Sequence, residues 1–170
     1  MDNTFGLPII PDNEEARLAK LRSLNILGGY QEEGRFKHIA AMASRMFEVP
    51  IALINLVDSE VVWTKASAGL DETPAIPRGT SLCSLAVLKD EPTVFENAKS
   101  EPCLLANPLV VGEFGLQFYA AAPLKTSDGF NIGALCIVDK EPRTFSQAEQ
   151  KVLENLASIV MEEIERGKSD

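Results

Sequence analysis

The sequence predicts an α+β fold in which helices from the two ends of the chain pack against a sheet. Strand-like residues occur in two hairpin-like pairs, and helical patterns lie before the first pair and after the second. A chain of 170 residues with 45% hydrophobic residues fits one domain with its own core. We expect that domain over residues 13–166, an irregular arm over residues 1–12 and a polar tail over residues 167–170.

Two helices are predicted before the first strand. The first begins with a capping-box pair, Asp12 and Glu15, in which each end of the pair would bond a free backbone N–H. The second has one apolar stripe that runs from Phe36 to Phe47 at helical spacing, and Pro50 ends it. Both helices therefore present an apolar face to the rest of the domain.

Four strands are predicted in two hairpins. Residues 51–57 are apolar on both faces, which indicates a central strand, and the alternating residues 61–67 pair with them. Residues 118–124 and 132–139 form the second pair around a Gly-containing turn. Pro123 lacks a backbone N–H, so this position is expected at a sheet edge or a bulge.

The middle of the chain, residues 69–115, is less regular. We expect a short helix over residues 81–88, capped by Ser81 or Thr80, and a short strand over residues 93–96. A long irregular stretch inside a compact domain is usually functional or mobile, so this segment is the first place to look for a site.

The last helix has a second capping box, Ser146 and Glu149. Its mixed apolar face and charged end favour pairing with a second copy, so we expect a homodimer through the terminal helices. The apolar residues that suggest this pairing are Val152, Leu156, Ile159 and Ile164.

Charge and composition exclude several partners. The net charge of −9 and the pI near 4.7 argue against a nucleic acid and against an anionic membrane surface, since both need clustered Lys and Arg. No apolar run is long enough for a membrane span, and no secretory signal is visible. Three cysteines then fit a reducing compartment, so we expect a cytoplasmic protein.

Several segments, in order and at workable spacing, resemble the GAF domain, a PAS-related α+β sensory module. The resemblance covers about residues 14–163 and is closest to the type found at the amino end of bacterial histidine kinases and diguanylate cyclases. The segments that carry it are residues 17–27, 50–58, 63–65, 81–83, 107–110, 118–124 and 132–139.

This resemblance implies a central six-stranded, mostly antiparallel sheet. The N- and C-terminal helices would cover one face, and a roof of loops and a short helix, within residues 58–119, would close a pocket on the other. The implied function is bacterial signal transduction, as in two-component systems. The domain would bind a small molecule or a partner and relay its state through the terminal helices, with no catalysis of its own.

Nine residues are candidates for ligand binding. Asp58 would anchor the pocket rim or make an Asx turn, Trp63 would stack on a ligand or pack in the core, and Lys65 would meet an acidic group or solvent. The start of the predicted helix near residue 81 has free N–H groups that would bind an anion; the alternative is that Ser81 only caps this helix. The remaining candidates are Ser81, Cys83, Asn107, Phe114, Phe118 and Tyr119; of the last two, neighbours in a strand, one should face the core and one the roof.

No cofactor is expected. Bilin-binding family members attach the chromophore to a Cys commonly followed by His, but Ser84 follows Cys83; haem needs an axial His, and His38 fits a surface position. The cyclic-nucleotide signature is matched only in part, by residues 139–140, 145 and 149–150, which indicates the fold more than the ligand.

Two alternatives remain open. A thiol-based redox sensor, or an enzyme similar to the methionine-sulfoxide reductases of this family, would use Cys83 and Cys103. Cys136 lies in an apolar strand and is expected to act as a small hydrophobic residue, and the cysteine spacing matches no metal-binding pattern. The other alternative is a dimerisation module that binds no ligand.

Overall fold

The structure, a computed structural model, describes residues 1–27, 34–70 and 75–169. Its helices are α1 (Glu14–Ser23), α2 (Arg35–Phe47), α3 (Cys83–Ala86), α4 (Pro108–Val111) and α5 (Gln147–Ser169). Its strands are β1 (Ile51–Val57), β2 (Val61–Ala68), β3 (Ile76–Pro77), β4 (Thr93–Phe95), β5 (Phe118–Lys125) and β6 (Asn131–Asp139). Two 3₁₀ turns, Ala98–Ser100 and Pro102–Leu104, lie between β4 and α4.

The six strands form one sheet in the order β3-β2-β1-β6-β5-β4, and all neighbouring strands are antiparallel. The α+β class, the six-stranded sheet and both predicted hairpins are confirmed. Pro123 is paired with Ala134 of β6 on one side. On the other side, the pairing with β4 reaches only as far as Ala121, opposite Thr93. The proline therefore lies where β5 has become an edge, as its missing N–H requires.

The sheet separates two hydrophobic cores, each formed by alternate residues of the same strands. On one face, α1, α2 and α5 cover residues such as Ile54, Phe118 and Ile137. On the other face, residues 82–116 cover Val57, Tyr119 and other sheet residues, together with Phe5 and Ile9 of the N-terminal arm. This arrangement matches the predicted layers, with helices on one side and a roof on the other.

The two predicted capping boxes have different outcomes. The first helix begins at Glu14 and its N-cap residue is Asn13, so the predicted Asp12–Glu15 capping box is wrong. The N–H of Glu14 instead donates to the carbonyl of Pro11 at 3.1 Å, so a backbone turn satisfies the group that the cap would have bonded. The second capping box is confirmed at α5, where Ser146 and Glu149 bond reciprocally at 3.0 and 3.1 Å.

The roof contains more regular structure than its sequence predicts. The expected helix over residues 81–88 is a single turn, α3, and the residue before it is Leu82, so neither Ser81 nor Thr80 holds the N-cap position. The short strand β3, the two 3₁₀ turns and α4 were not predicted. At the other end of the chain, the backbone of α5 continues through residue 169 of the predicted tail, and residue 170 lies outside the described residues. Within the described residues, no helix combines the length and the apolar composition that crossing a membrane requires.

Candidate functional site

A group of buried polar side chains lies between the sheet and the roof, and we call it the roof cluster. Its members are Asn55 of β1, Thr64 of β2, Cys83 of α3, Tyr119 of β5 and Cys136 of β6. All five are buried, and Cys83 and Cys136 are 1% and 0% exposed. Buried polar groups need hydrogen-bond partners, and here the partners are other members of the cluster.

A register shift in the sheet brings Asn55 into this cluster. The pairing between β1 and β2 shifts between Ile54 and Asn55, so that Asn55 stands opposite Thr64. The Thr64 hydroxyl donates to Asn55 Oδ1 at 2.8 Å. The amide of Asn55 is thereby fixed with its Nδ2 group directed at the sulfur of Cys83, 3.3 Å away, and 4.0 Å from that of Cys136.

The sulfur of Cys83 is surrounded by hydrogen-bond donors. The hydroxyl of Tyr119 donates to it at 3.1 Å, and the sulfur of Cys136 lies 3.9 Å away. The hydrogen bond from Cys136 lowers the pKa of Cys83 to about 7, and those from Tyr119, Asn55 and Ser81 act in the same direction against burial. Of the two thiols, Cys83 is therefore the one that loses its proton first.

The pKa values of the two neighbouring groups, Cys136 and Tyr119, are raised instead. The hydrogen bond to Cys83, together with burial, raises the pKa of Cys136 well above its usual value. Burial, followed by the charge of the Cys83 thiolate, raises the pKa of Tyr119. Both groups thus keep their protons when Cys83 ionises, and the Tyr119 hydroxyl remains a donor to Cys83. The cluster holds one ionisable nucleophile among neutral donors.

The roof side chains pack directly on this cluster. Leu82, Ala86, Leu104, Val110 and Leu116 are each no more than 3% exposed and belong to the same core as Tyr119 and Cys136. The hollow that the resemblance implied is, within the described residues, closed by these side chains. A ligand reaches the cluster only after the roof moves.

Two buried arginines form a second polar group, which we call the arginine network. Arg17 of α1 and Arg78, which lies before α3, are 1% and 0% exposed. Both donate to the carboxylate of Glu14: Arg17 Nε at 2.9 Å, Arg78 Nη2 at 3.0 Å, and Arg78 Nη1 in a further short contact. Arg17 also donates to the carbonyl of Val57, and Arg78 to that of Asp58. One carboxylate therefore holds two buried guanidinium groups and joins α1 to the first hairpin.

The roof cluster and the arginine network are connected through α3, the short helix of the roof. The hydroxyl of Ser84, next to Cys83 in α3, donates to the backbone carbonyl of Arg78. Ser84 is fully buried, so this bond has no competition from water. A continuous path of polar contacts thus runs from the roof helix through Arg78 and Glu14 to α1.

Only three of the nine candidate binding residues lie at the roof cluster. Ser81, Cys83 and Tyr119 are brought together there, and Ser81 Oγ accepts the N–H of Cys83 at 3.3 Å. Cys136 is buried in the roof-side core, as expected for a small hydrophobic residue, and its sulfur also lies 3.9 Å from that of Cys83. The structure pairs Cys83 with Cys136; Cys103 is partly exposed on a 3₁₀ turn, and burial with the charge of Glu101 raises its pKa.

Three other candidates lie on the helix side of the sheet. Trp63 stands opposite Leu56 of the helix-side core, and its indole Nε1 donates to Asp58 Oδ2 at 3.2 Å. Asp58 also pairs with Arg22 of α1 at 3.3 Å, and Lys65 donates to the carbonyl of Ile26. These side chains join the first hairpin to the end of α1 and its following residues.

The remaining three candidates have structural contacts. Asn107 is buried; it donates to Thr4 and to the carbonyl of Thr80, and its Oδ1 accepts the N–H of Leu109 in α4 at 2.9 Å. Phe118 faces the helix-side core while Tyr119 faces the roof, as predicted for neighbouring strand residues. Phe114 packs at the roof, with the ammonium of Lys140 5.1 Å from its ring centre.

Asn55, Thr64, Arg17 and Arg78 are functional residues that the sequence does not predict. One signal was present for Asn55, because it is the only polar residue in an otherwise apolar central strand. Thr64 and the arginines carry no such signal, since each is common on exposed surfaces and becomes buried only through long-range contacts.

Comparisons with known proteins agree with this fold. The sequence profile of the GAF domain matches residues 31–164, most of the chain. The chain belongs to the GAF family. It is 38% identical, over 164 residues, to a cyclic di-GMP phosphodiesterase of Pseudomonas aeruginosa. That match covers 94% of this chain and 27% of the relative, so the chain spans about a quarter of the relative's length.

Solved GAF structures share the architecture at low identity. The GAF domain of a phosphoenolpyruvate-protein phosphotransferase from Coxiella burnetii has a TM-score of 0.67 and 18% identity, covering 93% of this chain and 98% of that one. A type II free methionine-R-sulfoxide reductase from Thermoplasma acidophilum has a TM-score of 0.63 and 18% identity, covering 91% and 96%. At these identities the likeness concerns the fold alone.

Proposed function

We propose that this GAF domain is a sensory and regulatory module of a cytoplasmic signalling protein. Its input is read at the roof cluster, and its output is the position of the terminal helices. The observation that supports this proposal is the path from Ser84 through Arg78 and Glu14, which ties the roof helix α3 to α1.

The proposed mechanism is a shift between a closed and an open roof. The closed state has the contacts described above, with Ser84 bonded to the carbonyl of Arg78. An occupant of the roof cluster would hydrogen-bond the amide of Asn55 and the hydroxyls of Thr64 and Tyr119, and would displace α3 outward. Because Ser84 moves with α3, the network that positions α1 would change with it. The occupant stabilises whichever roof state binds it better.

The occupant that fits these groups is a small polar molecule or a partner side chain, since donors and acceptors are mixed and Cys83 is the thiol of the cluster that ionises first. A native mass spectrum of the protein as purified would show such an occupant directly by its mass. We propose no catalytic role for the domain itself.

The relative from Pseudomonas suggests the type of output. This chain matches about a quarter of a cyclic di-GMP phosphodiesterase, so we propose that the domain regulates a cyclic di-GMP enzyme or a comparable output domain. The homodimer through terminal helices remains a prediction. Of the stripe that suggested it, Leu156 and Ile164 are buried in this chain's own core, whereas Ile159 is 38% exposed. A dimer would therefore use the exposed side of α5.

Hydrogen exchange of the Ser84→Ala variant tests the relay. Removing the hydroxyl breaks its bond to the Arg78 carbonyl, so the backbone amides of α1 should exchange several-fold faster while those of α2 do not change. The matched control is Ser158→Ala, which removes a similar side-chain bond, to the carbonyl of Glu154, on the exposed side of α5. Unchanged exchange in α1, or an equal change in the control, would contradict the proposed relay.

A further inference from the structure

The roof cluster contains two thiols that face each other from different elements. Cys83 lies on the one-turn helix α3, and Cys136 lies on β6 in the middle of the sheet. Their sulfur atoms are 3.9 Å apart. We propose that Cys83 and Cys136 form a reversible disulfide when a hydroperoxide enters the roof cluster, and that this bond fixes the roof helix to the sheet.

The contacts assign a different role to each thiol. Cys83 accepts hydrogen bonds from the Tyr119 hydroxyl and the Asn55 amide, and the sulfur of Cys136 lies 3.9 Å away; this arrangement favours a thiolate at Cys83. The hydrogen bond with Cys83, together with burial, raises the pKa of Cys136, so Cys136 retains its proton until Cys83 has reacted. Cys83 is therefore the nucleophile that attacks the peroxide, and Cys136 is the resolving thiol.

The reaction balances with hydrogen peroxide as the only oxidant. The Cys83 thiolate attacks one peroxide oxygen, the O–O bond breaks, and the leaving hydroxide takes a proton to become water. Cys83 is now a sulfenic acid. The sulfur of Cys136 then attacks the sulfur of Cys83, the S–O bond breaks, and the hydroxide leaves as water with the proton of Cys136. The two thiols together lose two electrons and two protons, and one peroxide gives two waters.

The bond requires a short movement of α3. A disulfide has an S–S length of about 2.0 Å, so the sulfurs must approach by about 1.9 Å from their present separation. Cys136 is held by β1 and β5 on both sides, whereas α3 has only four residues between irregular segments. The movement is therefore expected in α3, towards the sheet.

Burial sets the rate of this reaction. Both thiols are almost fully buried, so peroxide reaches them only in a partly open roof. Cys103 is partly exposed, but its pKa is raised, which lowers its share of thiolate. Solvent access favours Cys103 as the site of reaction with peroxide, whereas the larger thiolate fraction and the neighbouring thiol favour Cys83.

The regulatory meaning of this bond rests on the proposed function, but the bond itself does not. A disulfide between α3 and β6 would hold Ser84 near Arg78 and would keep the path to α1 in its closed arrangement. Oxidation would then be an input that traps the closed roof and prevents a ligand from opening it.

The test uses the whole chain with Cys103→Ser, so that only the proposed pair remains. After hydrogen peroxide, the intact mass should fall by two hydrogen atoms, and a digest should contain one cross-linked peptide joining residues 83 and 136. A thiol reductant should remove both signals. In the variant that also carries Cys136→Ala, a sulfenic acid should be trapped on Cys83 by dimedone. Two free thiols after peroxide, or equal trapping at both positions when each stands alone, would overturn the inference.

A titration separates this chemistry from simple proximity. The ultraviolet absorbance of the thiolate in the Cys103→Ser protein should appear with a midpoint near pH 7. In the variant that adds Tyr119→Phe, one donor to Cys83 is lost, and the midpoint should rise by about one pH unit. An unchanged midpoint would show that Tyr119 does not activate Cys83.

The two proposals fail separately. If the disulfide forms while α1 does not respond to Ser84→Ala, the redox step stands and the relay is wrong. If α1 responds but no disulfide forms, the relay stands and the redox step is wrong.

Discussion

Replacing Glu14 by Gln should destabilise the domain more than a partly exposed ion pair normally would. Glu14 itself is 18% exposed at its side chain, but its two partners, Arg17 and Arg78, are buried. The Gln side chain has nearly the same shape, so the substitution removes the charge and leaves two guanidinium groups without a counter-ion. Removing one partner from a buried ion pair costs about 3–5 kcal/mol, and the exposure of Glu14 places the expected value at about 3 kcal/mol.

Thermal unfolding measures this effect. For a domain of this size, about 3 kcal/mol corresponds to a melting temperature lower by about 6–12 °C. The control is Glu15→Gln, the same chemical change on the next residue, which is exposed and outside the network. Equal melting temperatures for the two variants would refute the view that one carboxylate supports both arginines.

The difference between Glu14→Gln and the parent should also depend on pH. Burial raises the pKa of Glu14, but hydrogen bonds and charge from Arg78 and Arg17 outweigh it, and the pKa is lowered from 4.5. A lowered pKa in the folded state means that its stabilisation is present above pH 4.5 and is lost as the pH falls through the folded value. The gap in melting temperature should therefore be constant near neutral pH and should shrink in acid.

Three further substitutions test the cap of α5 and the packing of the central strands. Ser146→Ala removes one half of the capping box of α5 and should cost about 1 kcal/mol, with Glu149→Ala giving a similar loss in urea titrations if the two residues act as a pair. Gly133→Ala would place a Cβ 2.1 Å from the carbonyl oxygen of Asn55, so β1 and β6 must separate, and urea unfolding should show a loss of about 2–3 kcal/mol. A loss below about 0.5 kcal/mol for the cap substitutions would contradict the reciprocal bonds at α5, and one below this value for Gly133→Ala would contradict the close approach of β1 and β6.

The elements that the sequence predicts best are those with a strong local pattern. The four long strands and α5 each have a clear apolar period or a cap, and the structure confirms them. The turn helix α4 also had a signal, because Asn107 followed by Pro108 is a common helix start, but the four-residue length made it look like a loop. Short elements carry too few residues for periodicity to be measured.

The candidate site was predicted only in part, because its geometry depends on contacts between distant segments. Cys83 and Tyr119 were identified from the roof position and the strand alternation. The apolar neighbours of Cys136 predict only a hydrophobic residue, because its contact with Cys83 spans 53 positions and leaves no local signal. Arg78 was not selected because nothing local distinguishes a buried arginine from an exposed one, and its partner Glu14 is 64 positions away.

Strand β5 has a consequence for how this domain tolerates sequence change. Phe118, Ala120, Ala122 and Leu124 contribute to the helix-side core, whereas Tyr119 and Ala121 contribute to the core beneath the roof. Successive residues of this strand therefore affect different properties. One set affects the packing of the helices on the sheet, and the other affects the surroundings of the two thiols. A lineage or a designer can vary one set while the other is left intact.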